Sequence, residues 1–168
     1  MSTPMLRKAT IEDMDYIYRL ANDELTRANS FNTSHIEYED HVRWYQEKLS
    51  SPLTGIYILE DDGIKKGNIR VDVCEGSYNV SDYDSADESK RTRDCNSSGD
   101  FNNAGDGITR SGAYGLISFS TDPDYRNQGL GKVMLGLLIS QVKNDFPDIQ
   151  MLVGEVKENN IPSRKMFI

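Results

Sequence analysis

The sequence of 168 residues has no long hydrophobic run, only two cysteines, and fewer basic than acidic side chains. No apolar stretch approaches the ~20 residues of a membrane-spanning helix, and the first eight residues lack the apolar segment of a signal peptide. Cys74 and Cys95 have no metal-ligand spacing, so we predict no metal site and a reduced, cytoplasmic setting. The net charge of −8 argues against nucleic acid or an anionic membrane as a partner.

Hydrophobic periodicity predicts strands and helices within a single domain that spans residues 1–168. Apolar runs predict strands at 5–9, 55–59, 68–73, 114–120 and 150–156. Helical spacing predicts helices at 10–22, around 38–49, at 129–144 and from 160 onward. In the second helix the residues expected on the buried face are Tyr38, Val42, Tyr45 and Leu49, with His41, Trp44 and Lys48 on an adjoining face.

Residues 74–112 differ in composition from the rest of the chain. They include eight acidic and four basic side chains, and only three residues that are Val, Leu, Ile or Phe. Such a stretch cannot bury enough apolar surface to offset the entropy of ordering its backbone. We therefore predict a polar, mobile insertion at 74–112 between two strands of the domain.

The segment Arg126-Asn127-Gln128-Gly129-Leu130-Gly131-Lys132 connects a predicted strand to a predicted helix. Glycine permits a sharp turn that points successive N–H groups into one concavity, and a helix start adds N–H groups without intrahelical acceptors. This arrangement suits a phosphate or pyrophosphate. The alternative is an ordinary connection that uses glycine for its backbone angles. For Arg126, contact with phosphate and pairing with Asp122 or Asp124 both remain open.

The run from Ile117 to Gly131, with Pro123 followed by Arg-x-x-Gly-x-Gly, resembles the acetyl-CoA motif of the GNAT superfamily of N-acetyltransferases. The segment Glu155–Ser163 resembles that family's next strand, with an acid at its end and an asparagine opening the next helix. The resemblance covers about 1–73 and 113–168. It implies an α/β fold with a mixed, mostly antiparallel sheet flanked by helices, and acetyl-CoA as the cofactor.

The resemblance also implies roles for single residues. The strand end formed by Phe119, Ser120 and Thr121 would pair with the pantetheine arm through its backbone, and the amides from Asn127 to Lys132 would hold the pyrophosphate. Asn160 would contact the cofactor. Glu155 would be the general base, and the alternative is a carboxylate paired with a lysine. Phe167 stands where many members carry a tyrosine that protonates the leaving thiolate. Either water or another tyrosine would then protonate the thiolate, or the protein would bind acyl-CoA without turning it over.

Asn29–Asn32 followed by Glu39–Tyr45 resembles the acetyltransferases that act on nucleotide-linked amino sugars in pseudaminic acid pathways. This match implies transfer of an acetyl group to the primary amine of such a sugar, with Asn32, His41 and Trp44 at the acceptor. The alternatives are a tryptophan packed on the sheet and a solvated histidine. Acetylation of a protein N-terminus or side chain is an alternative function, and so is a non-catalytic acyl-CoA-binding module or an inactive fragment.

Members of this family continue past the last helix into further strands, whereas the sequence stops at Ile168. From this difference we expect a truncated C-terminal end that leaves one edge of the sheet open. The expected consequences are weak stability, completion by a partner chain as in a homodimer, or a longer natural protein.

Overall fold

The structure is a computed structural model in which residues 3–79 and 109–167 are described. In chain order its elements are β1 (Met5–Lys8), α1 (Met14–Ala21), α2 (Glu24–Asn29), α3 (Tyr38–Ser50), β2 (Thr54–Asp61), β3 (Ile64–Cys74), β4 (Ser77–Asn79), β5 (Thr109–Ser111), β6 (Ala113–Thr121), α4 (Leu130–Asp145), β7 (Ile149–Gly154) and α5 (Ile161–Arg164). The last of these is a single turn, shorter than the helix predicted from residue 160 onward.

Five strands form one sheet in the order β1-β2-β3-β6-β7. The pairs β1–β2, β2–β3 and β3–β6 are antiparallel, and β6–β7 is parallel. This confirms the mixed, mostly antiparallel sheet. β2 and β3 meet at Asp62-Gly63, whose φ angles of +52° and +73° are both left-handed, as in the two-residue turns that match the twist of a hairpin. The strands therefore run closer to the turn than their apolar residues predict.

Helices cover both faces of the sheet. On one face α4 packs its buried side chains, among them Met134 and Leu138, against Ile69 and Val71 of β3 and Ile117 of β6. On the other face α1 and α3 pack against β2, where the buried cluster is Ala9, Ile17, Tyr45, Ile56 and Ile58. β3 lies in the middle of the sheet, so both its apolar and its polar side chains lie beneath a helix layer.

The buried side of α3 differs from the predicted one. His41 and Tyr45 are its buried residues, whereas Tyr38 is 44% and Leu49 is 36% exposed. The Tyr45 hydroxyl donates a hydrogen bond to the Thr10 carbonyl at 2.6 Å, and His41 Nε2 lies 3.1 Å from the Met14 carbonyl. These polar contacts to the start of α1 allow an aromatic pair to be buried where the pattern alone favours the more regular apolar spacing.

The two ends of the predicted insertion pair with each other. β4 and β5 are antiparallel, with Ser77 opposite Ser111 and Asn79 opposite Thr109. Residues 80–108, on which most of the prediction of mobility falls, lie outside the described residues. Cys74, buried at the end of β3, forms a disulfide bond, which does not agree with the expected reduced setting. In the described part of the chain, no helix is both long and apolar enough to cross a membrane.

Candidate active site

β6 and β7 separate at one end of the sheet. Their pairing runs from Ala113 opposite Ile149 to Ile117 opposite Gly154 and ends there, although β6 continues to Thr121. The other edge of β6 stays paired with β3 as far as Thr121 opposite Gly67. Residues 118–121 therefore have one backbone edge in the sheet and one edge that β7 does not pair.

The connection after β6 turns sharply into α4. Asn127 and Gly129 adopt left-handed φ angles of +62° and +74°, and Gly129 is the N-cap of the helix. The first N–H groups of α4 have no acceptor within the helix. Two left-handed residues beside a helix start form the concave backbone that binds phosphate groups in other proteins. The local geometry thus favours the anion site over a simple connection.

Two glycines permit close contacts beside this loop. A Cβ at Gly131 would lie 2.7 Å from Met166 Sδ and 3.5 Å from Phe119 Cε2. A Cβ at Gly154 would overlap the ring of Phe167. The Phe167 ring therefore rests on the backbone of β7 next to Glu155. A narrow gap between strands, a glycine cradle and a helix start are the features that suit a long, thin cofactor with a pyrophosphate.

A cavity of about 1030 Å³ joins the gap, the loop and the acceptor side. The predicted site residues that line it are His41, Trp44, Phe119, Ser120, Thr121, Arg126, Asn127, Gly129, Leu130, Gly131, Lys132, Glu155 and Asn160. Gln128 and Asn32 do not line it. Gln128 is exposed, and the Asn32 side chain accepts a hydrogen bond from the Ser34 N–H at 2.9 Å within its own loop. The individual roles of all these residues stay predictions.

Ion pairs tie the loop before α4 to the first two helices. Arg126 pairs with Asp23, the N-cap of α2, rather than with Asp122 or Asp124. Asp122, which is buried, is paired with Arg19 of α1 at 2.7 Å. Neither of the acidic partners predicted for Arg126 is the one observed. The observed partner belongs to α2, which is remote from the loop in sequence and lies against it only in the folded chain.

At the other end of the cavity, α3 presents aromatic side chains. His41 is 2% exposed, so the interpretation as a solvated histidine is wrong. Its ring stacks on Tyr45 at 5.8 Å, and burial lowers its pKa below the ordinary value despite the opposing effect of the Met14 carbonyl. Trp44 is half-buried and lies over β3, with the Arg70 guanidinium 5.0 Å from its ring centre. Burial therefore favours the neutral form of His41, and both His41 and Trp44 line the cavity.

At the end of β7, Glu155 and Asn160 complete the wall. Glu155 follows directly after the strand and is half-buried in the cavity wall. The Asn160 side chain accepts a hydrogen bond from the Ser163 N–H at 3.2 Å and caps α5. Asn160 thus caps the short helix through its side-chain oxygen, and its amide N–H₂ group stays available to a ligand.

The cavity is basic although the protein is acidic. The five basic residues that line it are Arg27, Arg70, Arg126, Lys132 and Lys165, against the two acidic residues Asp40 and Glu155. Sequence reasoning missed Arg70, because a charged residue between two apolar strand residues is normally solvent-facing. Within the described residues, no group of three or more His, Cys, Asp or Glu side chains could hold a metal ion.

Residues 14–167 match the model of the acetyltransferase (GNAT) family. Similar solved structures include a predicted acetyltransferase with acetyl-CoA from Clostridium acetobutylicum, at 15% identity, 98% coverage of this chain, 88% of that chain and a TM-score of 0.62. An N-acetyltransferase from Staphylococcus aureus Mu50 is 19% identical, with 99% of this chain and 81% of that chain covered and a TM-score of 0.62. The aminoglycoside N-acetyltransferase AAC(6')-Iy in complex with CoA is 13% identical, with 98% of this chain and 84% of that chain covered and a TM-score of 0.62. No curated protein sequence matches this chain significantly.

Proposed function

The chain belongs to the GNAT family and is an acetyl-CoA-dependent N-acetyltransferase, and from that premise we propose that its acceptor is the primary amine of a nucleotide-linked amino sugar. The observation that supports this acceptor is the continuity of the cavity. It runs from the gap between β6 and β7 to the half-buried face of Trp44, and basic residues outnumber acidic ones among its charged lining residues. An aromatic face and nearby positive charge suit a base or sugar ring that carries phosphate groups.

The residues of the cofactor side fit acetyl-CoA, which supplies an acetyl group activated as a thioester. The edge of residues 118–121 that β7 does not pair would hold the pantetheine arm, as a peptide adds to a free strand edge. The N–H groups at Gly129 to Lys132 would hold the pyrophosphate. Glycine at position 131 leaves space for a ligand beside these N–H groups, because a Cβ there would contact Met166.

For the chemistry, the acceptor amine must lose a proton before it attacks. We assign this proton to Glu155, directly or through one water, because its carboxylate lies in the cavity wall at the end of β7. Backbone N–H groups near Phe119 would stabilise the carbonyl oxygen as negative charge develops there. Phe167 has no hydroxyl to donate. A thiol with a pKa of about 8.5 gives a thiolate that can leave without prior protonation, and water would protonate it afterwards.

The proposal is tested by measuring CoA thiol release with a panel of amines. We expect turnover with a uridine-diphosphate-linked amino sugar, and weaker turnover with the free amino sugar, an aminoglycoside and a peptide with a free N-terminus. Trp44→Leu should raise the KM for the sugar nucleotide and leave the affinity for acetyl-CoA unchanged. Faster turnover of the peptide would support the protein-acetyltransferase alternative. Tight binding of acetyl-CoA without turnover of any amine would support a binding module.

The homodimer also stays a prediction. Sedimentation of the purified chain at several concentrations measures its oligomeric state directly, and a monomer at all concentrations would contradict the prediction.

A further inference from the structure

Arg70 lies in the middle of the central strand of the sheet. Its partner across the β3–β6 pair is Ser118, and both residues line the cavity. Its alternating neighbours Ile69 and Val71 belong to the core beneath α4. Arg70 therefore projects from the opposite face, toward α3, with its side chain 25% exposed.

Two groups hold the guanidinium in one orientation. Its Nε donates to Asp72 Oδ2 at 2.7 Å, and its plane lies over Trp44 at 5.0 Å from the ring centre. Asp72 is itself fixed, because its Oδ1 accepts hydrogen bonds from Lys48 at 2.8 Å and from Thr54 at 2.9 Å. Among the described residues, no protein acceptor is hydrogen-bonded to the two Nη atoms of Arg70. They remain as a preorganised pair of donors at the cavity.

Two of the other four basic residues that line the cavity are held by protein acceptors. Arg27 donates to the carbonyls of Ala21, Asn32 and Ser34 and so holds the loop after α2. Arg126 is paired with Asp23. Lys132 and Lys165 belong to the first turn of α4 and to the C-cap of α5, on the side of the predicted pyrophosphate loop. Arg70 is thus the basic lining residue that lies beside Trp44, on the acceptor side of the cavity.

We infer that Arg70 determines acceptor specificity by binding an oxyanion of the acceptor, a phosphoryl or carboxylate group, through its two Nη atoms. The inference rests on the proposed function, since it concerns the acceptor side of the same cavity. A guanidinium fork matches the spacing of two oxyanion oxygens, and a partly buried pair of this kind is stronger than one in water. A polycationic acceptor would instead place positive charge against Arg70.

Trp44 makes this contact measurable, because it is the single tryptophan of the chain. Its fluorescence should change saturably when an anion binds the guanidinium that covers it. Two matched pairs of probes separate the sources of the anion, namely glucosamine 1-phosphate against glucosamine, and L-alanine against ethylamine. We expect the anionic member of at least one pair to bind about tenfold more tightly or better, as for a hydrogen bond to a charged group.

Variants locate the effect. Arg70→Gln should abolish the preference within each pair while leaving the affinity for acetyl-CoA unchanged, which also shows that the variant folds. Arg70→Lys keeps the charge and should retain part of the preference, because an ammonium lacks the fork. The control is Arg43→Gln, which removes the same charge from the exposed neighbour of Trp44 on α3 and should keep the full preference.

The outcomes separate this inference from the proposed function. In turnover assays Arg70→Gln should raise the KM of a phosphorylated acceptor and leave kcat nearly unchanged. Equal binding of both members of each pair, or a preference that survives Arg70→Gln, overturns the inference even if amines are acetylated. An anion preference that requires Arg70, with no acetylation of any amine, supports the anion site and overturns the proposed function instead.

Discussion

A methyl group added at Gly131 tests the packing that shapes the cofactor side. Gly131 is the second residue of α4, and a Cβ there would lie 2.7 Å from Met166 Sδ. This is closer than carbon and sulfur atoms pack, so Met166 must move. In Gly131→Ala the gain in helix propensity is at most about 1 kcal/mol. Met166 lines the open cavity and has a flexible side chain, so moving it costs less than the ~1–3 kcal/mol of overpacking a closed core. We therefore expect the two effects to cancel to within about 1 kcal/mol.

A second glycine of the same helix provides the matched control. Gly136 is exposed in α4, and a Cβ there meets no atom within 4 Å. Gly136→Ala should therefore stabilise the fold by about 0.5–1 kcal/mol. For a domain of this size that corresponds to a rise in Tm of about 1–4 °C.

Thermal unfolding measures the stability of the two variants, and calorimetry measures their affinity for acetyl-CoA. We expect Gly131→Ala to weaken acetyl-CoA about tenfold, the cost of one hydrogen bond to a charged group that is no longer made. Gly136→Ala should bind acetyl-CoA as the unmodified chain does. If the two variants have the same Tm and the same affinity, the contact with Met166 does not shape the cofactor site and the reasoning fails.

Two further predictions concern carboxylates. Glu155→Gln should lower kcat by about 10²–10⁴-fold in a thiol-release assay, with an unchanged Kd for acetyl-CoA, and an unchanged kcat would remove Glu155 as the base. Asp13 is 1% exposed, and its hydrogen bond to Arg7 lowers its pKa below the ordinary value against the effect of burial. A lowered pKa means that this stabilisation is present above pH ~4 and is lost as the pH falls further. Asp13→Asn should lower the free energy of unfolding by about 3 kcal/mol at pH 7 and reduce the further loss of stability at acidic pH. Urea unfolding between pH 7 and pH 3 measures both effects. If stability depends on pH as steeply in the variant as in the unmodified chain, the assignment is contradicted.

The sequence predicted the elements that carry strong apolar periodicity. β6, α4 and β7 lie where the pattern places them, within a few residues. α2 was not predicted, because it has no buried residue and is fixed from outside by the N-cap Asp23 and its pairing with Arg126. Its helical state depends on tertiary contacts that a local pattern does not contain.

The candidate site divides in the same way. Backbone features, such as the left-handed Gly129 and the end of β6, follow from residue types and could be located in advance. The partners of the charged side chains could not be located from the sequence. The partner of Arg126 lies in α2, and the position of Arg70 over Trp44 depends on how α3 crosses the sheet. Alternation within β3 marks Arg70 as polar, but it does not show that a helix covers that face.

The two ion pairs of the loop before α4 also bear on the order of folding. Arg19 with Asp122, and Arg126 with Asp23, each join residues 103 positions apart. Contacts of such sequence separation form late, because a long chain segment must close before they stabilise anything. The loop should thus be among the last parts to reach its final position. In stopped-flow refolding, recovery of acetyl-CoA binding should lag behind the helical circular dichroism signal, and ligand added early should not accelerate the first phase.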